Sequence, residues 1–284
     1  MKDQSLKKNL SDTHLIIMTS KTFALLLLAG TLILSSRTTL ALSSSSSRTS
    51  DKKTIQGIQV HPVPLRRDDP SSPFCYAASS IVELKGSQNF LATQVWPSAR
   101  AAANVIEEYT DPSWTICEFG CGPGMPSLAA ASLGCSVIAT DLEPLALNLV
   151  QEAAQSQGIL SRVKTKQVDL IDGLMEDDWE SWVPTVDLFV MSDVFESSPV
   201  AKGAADLTDQ LLKRTKNSRV WVFAQSDRAQ REVYLQEMKK KNQCTNDDDE
   251  LKLAWRNIEE DCAGQTGQDR LWLCDLDETK VSYG

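Results

Sequence analysis

Between residues 114 and 141 the chain runs through an apolar stretch, a glycine loop, a second apolar segment, a third and then an acid, an order that few folds accommodate. The loop is Glu118-Phe119-Gly120-Cys121-Gly122-Pro123-Gly124, and Asp141 follows 17 residues after its last glycine. Glycines at alternate positions, Gly120, Gly122 and Gly124, let a strand turn sharply into a helix. They also bring backbone N–H groups close to a ligand, because no Cβ intervenes. Pro126 suits the first turn of that helix. The next apolar run, residues 136–140, ends on Asp141, where a carboxylate at the C-terminal end of a strand can accept both hydroxyls of a ribose. Strand, glycine loop, helix, strand and acid together predict a nucleotide-type cofactor site.

A dinucleotide fingerprint, G-x-G-x-x-G/A, places a third small residue where helix and strand pack closely. Here that position is Met125. The spacing is instead G-x-G-x-G, preceded by Glu118, a carboxylate placed to hold the cationic amino group of a zwitterionic ligand. That pattern points to an amino-acid-bearing nucleoside in place of a pyrophosphate. It resembles motif I and the following acidic residue of class I S-adenosylmethionine-dependent methyltransferases. The resemblance implies S-adenosyl-L-methionine as cofactor, with Glu118 and the three glycines at its methionine part. It adds Leu142, beside Asp141, and Ser192 to the cofactor-binding set.

Apolar strand-like runs recur at residues 115–119, 136–140, 163–168, 186–192 and 219–224, with helical stretches at 98–109, 127–133, 145–157, 200–213 and 228–241. Alternating strands and helices imply a parallel sheet. Residues 251–255 and 271–275 bring the count to seven, although 247–250 could equally begin a helix. The expected fold is α/β, a Rossmann-like, mostly parallel seven-stranded sheet with helices on both faces. Five strands are parallel and the final pair contains one antiparallel strand, as the resemblance implies. The expected organisation is a leader with a Ser-rich linker over residues 1–50, an extension with a short hairpin near 81–86 over residues 51–95, and the methyltransferase domain over 96–284.

Beyond the loop, Asp169 ends the third strand of the core and resembles the family acid that reaches the adenine amino group; the alternative is a turn cap. Trp96-Pro97 resembles the V-W-P-x-x of the seven-β-strand protein lysine methyltransferase group, whose tryptophan packs near the cofactor; the alternative is a core anchor. The fourth strand of the core runs into Ser192-Asp193-Val194-Phe195-Glu196, at the strand end where an open α/β sheet gathers catalytic groups. The same group carries D-x-x-Y here. With Trp96 and motif I, the segment looks closest to the branch containing electron-transfer flavoprotein β-subunit lysine methyltransferase, over roughly residues 80–240. Glu196 stands where the group has tyrosine, so Phe195 would have to supply the aromatic wall of the acceptor channel. Asp193, Phe195 and Glu196 are the catalytic candidates. A lysine must arrive neutral, and its reference pKa of about 10.4 puts deprotonation roughly 4 to 5 kcal/mol uphill at pH 7. Asp193 is therefore expected to position the amine and accept its hydrogen bond, not to act as a strong base.

Composition bounds the remaining choices. Residues 23–34 are a mostly apolar run, too short to span a bilayer comfortably, followed by a small-x-small pattern ending at Ala41. This reads as a signal peptide, with Met1 or Met18 as the start. The acid-free, Ser-rich segment after it also fits a transit peptide, so the destination is the secretory pathway, a plastid or a mitochondrion, with an uncleaved signal anchor as the alternative. Residues 1–41 carry five Lys/Arg and two Asp/Glu, and their removal takes the formal net charge from −9 to −12. An acidic chain without a basic, aromatic-laced patch excludes nucleic acid as the expected partner. The seven cysteines form no C-x-x-C pair and the two histidines are His14 and His61, which disfavours a zinc ribbon, a Ser-His-Asp triad or a multi-histidine metal site. The expected partner is a protein with an exposed lysine, acted on by a monomer that has no stable membrane association once the leader is removed. The alternatives are a small-molecule N- or O-methyltransferase and a non-catalytic cofactor-binding protein.

Overall fold

The computed structural model describes residues 53–69, 71–80, 90–173, 179–242, 251–258 and 270–276. The leader expected over 1–50 and the hairpin expected near 81–86 lie outside the described residues. Ahead of the core, β1 (Lys53–Ile55), β2 (Ile58–Pro64) and β3 (Phe74–Ala78) form an antiparallel sheet that the sequence pattern did not signal. Pro62 and Pro64 argue against a central strand, since proline cannot donate to a ladder. The structure reconciles them: β1 pairs only with residues 58–60 of β2, so the proline-bearing half has a partner on one side only, β3.

The main sheet contains β4 (Thr115–Phe119), β5 (Ser136–Asp141), β6 (Val163–Gln167), β7 (Leu188–Ser192), β8 (Arg219–Gln225), β9 (Arg256–Asn257) and β10 (Leu271–Leu276). Their order is β6-β5-β4-β7-β8-β10-β9, and every neighbouring pair is parallel. The antiparallel strand expected in the final pair is thus corrected. β10 lies between two neighbours and buries Leu271, Trp272, Leu273 and Cys274 in succession, the continuous apolar run of a strand covered on both faces. Residues 251–255 are also not a strand; Leu251, Leu253 and Trp255 pack onto the core as irregular chain just before β9.

Among the described residues, six helices surround the sheets: α1 (Pro97–Tyr109), α2 (Met125–Leu133), α3 (Pro144–Ser156), the short α4 (Trp179–Trp182), α5 (Ser198–Arg214) and α6 (Gln230–Asn242). Proline occupies the first turn of α1, α2, α3 and α5, where its missing N–H would have no helical partner anyway. Strand periodicity divides the core. Ile116, Leu188, Val190, Trp221 and Phe223 meet the alanine-rich faces of α1, α2 and α3, while Cys117, Phe119, Phe189, Met191 and Val222 meet α5 and α6. The small N-terminal sheet docks on α3. The Gln157 amide accepts from Phe74 N at 3.0 Å and donates to Phe74 O at 2.8 Å, substituting for a strand partner. Lys53 pairs with Glu152 at 2.7 Å beside it.

Candidate active site

β4 carries the glycine loop to the carboxyl end of the sheet, where the strand order reverses, with β5 on one side and β7 on the other. Open α/β sheets bind ligands in this crevice. Gly120, Gly122 and Gly124 have φ of 64°, 50° and 78°, a left-handed region costly for residues with a Cβ. Gly124 also approaches α3, since a Cβ there would lie 2.5 Å from Val150 Cγ2. At Gly122 a Cβ would meet nothing nearer than Ala92 O at 3.7 Å, and that glycine lines a cavity.

Three of the loop's backbone donors are engaged within the protein. Cys121 N–H donates to Thr140 O at 2.9 Å, Gly122 N–H to Asp141 Oδ2 at 2.8 Å and Gly124 N–H to Cys121 O at 2.8 Å. Pro123 has none to give. For Cys121, Gly122 and Gly124 this corrects the expectation that the loop's N–H groups turn toward a ligand, and it sharpens the choice of ligand. A pyrophosphate needs a nest of donors, whereas a ligand held by carboxylates and apolar surface does not.

Trp96, Gly120, Gly122, Asp141, Leu142, Asp169, Ser192, Asp193 and Glu196, all singled out from sequence, line the same cavity. Asp141 is nearly buried, and its other oxygen accepts from Glu143 N–H at 2.9 Å. Burial pushes its pKa up, with further upward contributions from the charges of Glu143 and Glu196. Glu196 is itself raised by burial and by Glu143. Asp169 does two things: its Oδ1 accepts from Ile171 N–H at 2.8 Å as a turn cap, and the residue still faces the cavity. Trp96 donates its indole N–H to Leu91 O at 3.1 Å, which fixes the ring at the entrance to α1.

Three sequence candidates lie elsewhere. Glu118 is fully buried and does not line the cavity; its Oε2 accepts from Ser127 N–H at 3.0 Å and Ser127 Oγ–H at 2.6 Å, and its Oε1 lies 3.4 Å from Ser192 Oγ. Burial outweighs those bonds and pushes its pKa up to about 8. Glu118 therefore reaches the cavity only through Ser192, not as a direct partner for a ligand's amino group. Gly124 serves the packing of α2 on α3. Phe195, expected as the wall of an acceptor channel, is 2% exposed and packs against Tyr234 and Trp255, with ring centroids at 5.2 and 6.0 Å. It adjoins the cavity-lining Val194 but does not itself line the cavity, lying in the core shared with α6.

Sequence reasoning missed Arg228. Its Nε and Nη2 donate to Asp193 Oδ1 and Oδ2 at 2.8 and 2.9 Å, and its guanidinium carbon sits 5.1 Å from the centre of the Trp96 ring. It lies just beyond the C-terminal end of β8, a position where the strand-end rule applied to β4–β7 would have found it.

The cavity suits a cationic nucleoside better than a phosphate ligand: Asp141, Glu143 and Glu196 supply negative charge, Gly122 leaves room for a close approach, and the N–H groups of Cys121, Gly122 and Gly124 are already bonded. Comparison with known proteins agrees. Residues 80–241, more than half of the chain, match the family described as lysine methyltransferase. The chain is 31% identical over 98 residues to the ribosomal protein L11 methyltransferase of Oceanobacillus iheyensis, covering 34% of this chain and 31% of that protein. It is 21% identical over 160 residues to the protein of the same name from Thermotoga petrophila, covering 54% and 60%. It thus spans less than two thirds of the length of either relative. Among solved structures, it resembles a TehB-like SAM-dependent methyltransferase from Corynebacterium glutamicum, with TM-score 0.40 and 17% identity, covering 53% of this chain and 74% of that one. The glycine loop, the acid ending β5 and the Asp193 segment all fall within the matched residues, and the chain belongs to the lysine methyltransferase family of S-adenosylmethionine-dependent enzymes.

Proposed function

We propose that this protein transfers methyl groups from S-adenosylmethionine to a lysine side chain of a protein substrate. The observation that carries the reading is the cavity at the reversal of strand order, where Gly122 and Asp141 from one side meet Ser192 and Asp193 from the other. Family membership and relatives whose names state a ribosomal protein as the object of methylation support a protein acceptor.

When bound, S-adenosylmethionine supplies an electrophilic methyl group on a sulfonium. Asp141 would hold that cofactor's ribose hydroxyls at the end of β5, while its bond to Gly122 keeps the loop in shape. Leu142, 42% exposed as an apolar side chain at the cavity, and Trp96 would exclude water from the bound ligand. Ser192 links the cavity to the buried Glu118. Asp193 accepts a hydrogen bond from the acceptor amine and aims its lone pair, so catalysis rests on alignment and not on strong base chemistry. Its rigid setting supports that role: φ is 58°, uncommon for a residue with a side chain, and its N–H donates to Phe223 O at 2.9 Å.

A second reading, a small-molecule N- or O-methyltransferase, draws on Glu196 at the position of the group's tyrosine and on Phe195 turning away into the core. The full chain incubated with methyl-labelled S-adenosylmethionine and a source-matched extract separates the two. Label on lysine in the protein fraction is the expected result. Label confined to the small-molecule fraction overturns the lysine reading in favour of the second.

A further inference from the structure

A carboxylate beside the acceptor creates a conflict for a lysine methyltransferase. It orients the amine, yet its negative charge favours the ammonium, which has no lone pair to attack with. The Asp193 side chain is 1% exposed, so solvent screens that charge poorly. The structure resolves the conflict within the chain. Arg228 donates to both Asp193 oxygens at 2.8 and 2.9 Å, and its position over the Trp96 ring holds the guanidinium in the cavity wall. Each carboxylate oxygen has a second lone pair, so Asp193 can still accept from an amine. What the pair withdraws is net charge, not hydrogen-bonding capacity.

We propose that Arg228 is a positioning residue that neutralises Asp193, so that the acceptor side of the cavity receives a neutral amine in preference to an ammonium ion. This rests on the lysine reading above and deepens it. Asp141, Asp169, Glu143 and Glu196 also line the cavity and would attract a cationic side chain toward it. Arg228 then removes the strongest local reason for the amine to keep its proton.

The test needs no identified acceptor. Sinefungin, an S-adenosylmethionine analogue with a primary amine where the transferable methyl would be, carries a cation at neutral pH, whereas S-adenosylhomocysteine has neither the methyl group nor that amine. Calorimetric titration of the full chain with each gives an affinity ratio that reports charge at the acceptor side. R228Q exposes the Asp193 charge and is expected to shift the ratio roughly 10-fold toward sinefungin. R228K, which keeps the charge, returns it toward the wild-type value, and D193N/R228Q abolishes the shift. D193N alone moves it the other way and serves if R228Q does not fold. A ratio unchanged within about twofold in R228Q or D193N, with S-adenosylhomocysteine still bound, overturns the proposal. Failure of the wild-type chain to bind either analogue overturns it together with the cofactor assignment. Failure of the lysine reading appears only in the extract experiment and does not touch this ratio.

Discussion

The two sides of the cavity are built on different principles. On the β4–β5 side, shape comes from backbone: three left-handed glycines, loop donors bonded to Thr140, Asp141 and Cys121, and a buried Glu118 tying α2 to β7 through Ser127 and Ser192. On the β7–β8 side, shape comes from side chains that meet across 35 residues of sequence, Asp193 and Arg228, with Trp96 from a third element. A fixed cofactor can be recognised by main-chain geometry that tolerates almost no substitution. An acceptor side made of side chains can be altered one residue at a time, so that specificity changes without rebuilding the fold.

The contrast breaks first at the glycines. Gly124→Ala is expected to lower the unfolding free energy by about 3 kcal/mol, from the left-handed φ plus the collision with Val150. Gly122→Ala, with open space ahead of it, should lose only about 1 kcal/mol but bind S-adenosylhomocysteine more weakly. Urea denaturation with calorimetric titration checks both, and equal stability losses would undo the distinction between packing and ligand-facing glycines. On the other side, Asp193→Ala unpairs Arg228 and puts alanine at a left-handed φ, so it should lower stability by about 2 kcal/mol, yet keep S-adenosylhomocysteine binding while lowering methyl incorporation into protein roughly 100-fold. Full turnover in that variant removes Asp193 from the mechanism.

Glu118 offers a subtler test through pH. Its native pKa, about 8, lies above the ordinary value of 4.5, so the native state holds a proton that the unfolded chain has released between those values. Its contribution to stability is complete below 4.5 and is lost as pH rises toward 8. Glu118→Gln, a neutral side chain able to keep both Ser127 bonds and donate to Ser192, should flatten that decline in melting temperature; an unaltered slope would show that the charge of Glu118 is not its source. The smallest effect is expected at Glu196. Because Glu196 is exposed at the cavity rim, Glu196→Gln should weaken S-adenosylmethionine binding no more than about threefold, and less at high salt.

Much of this architecture was legible before any coordinate. β4 was bounded correctly at both ends, and β5, β8 and β10 to within a residue or so, because continuous apolar runs and Gly/Pro punctuation act over neighbouring residues. The N-terminal sheet was not legible: Pro62 and Pro64 mask β2, and the side chain that completes β3 is Gln157, over 80 residues away. Phe195 was misassigned for a related reason. Its sequence neighbours Val194 and Glu196 both line the cavity, and only the packing of α6 and Trp255 shows that the ring between them belongs to the core.

The sequence by itself determined the α/β class, the glycine loop and the acid at the end of β5, since these depend on backbone freedom and hydrophobic period within a few residues. Tertiary structure decided the direction of β10, the protonation of Glu118 and the charge that Asp193 presents. Those properties depend on burial and on partners distant along the chain, and no local pattern encodes the dielectric around a carboxylate or the arginine that will neutralise it.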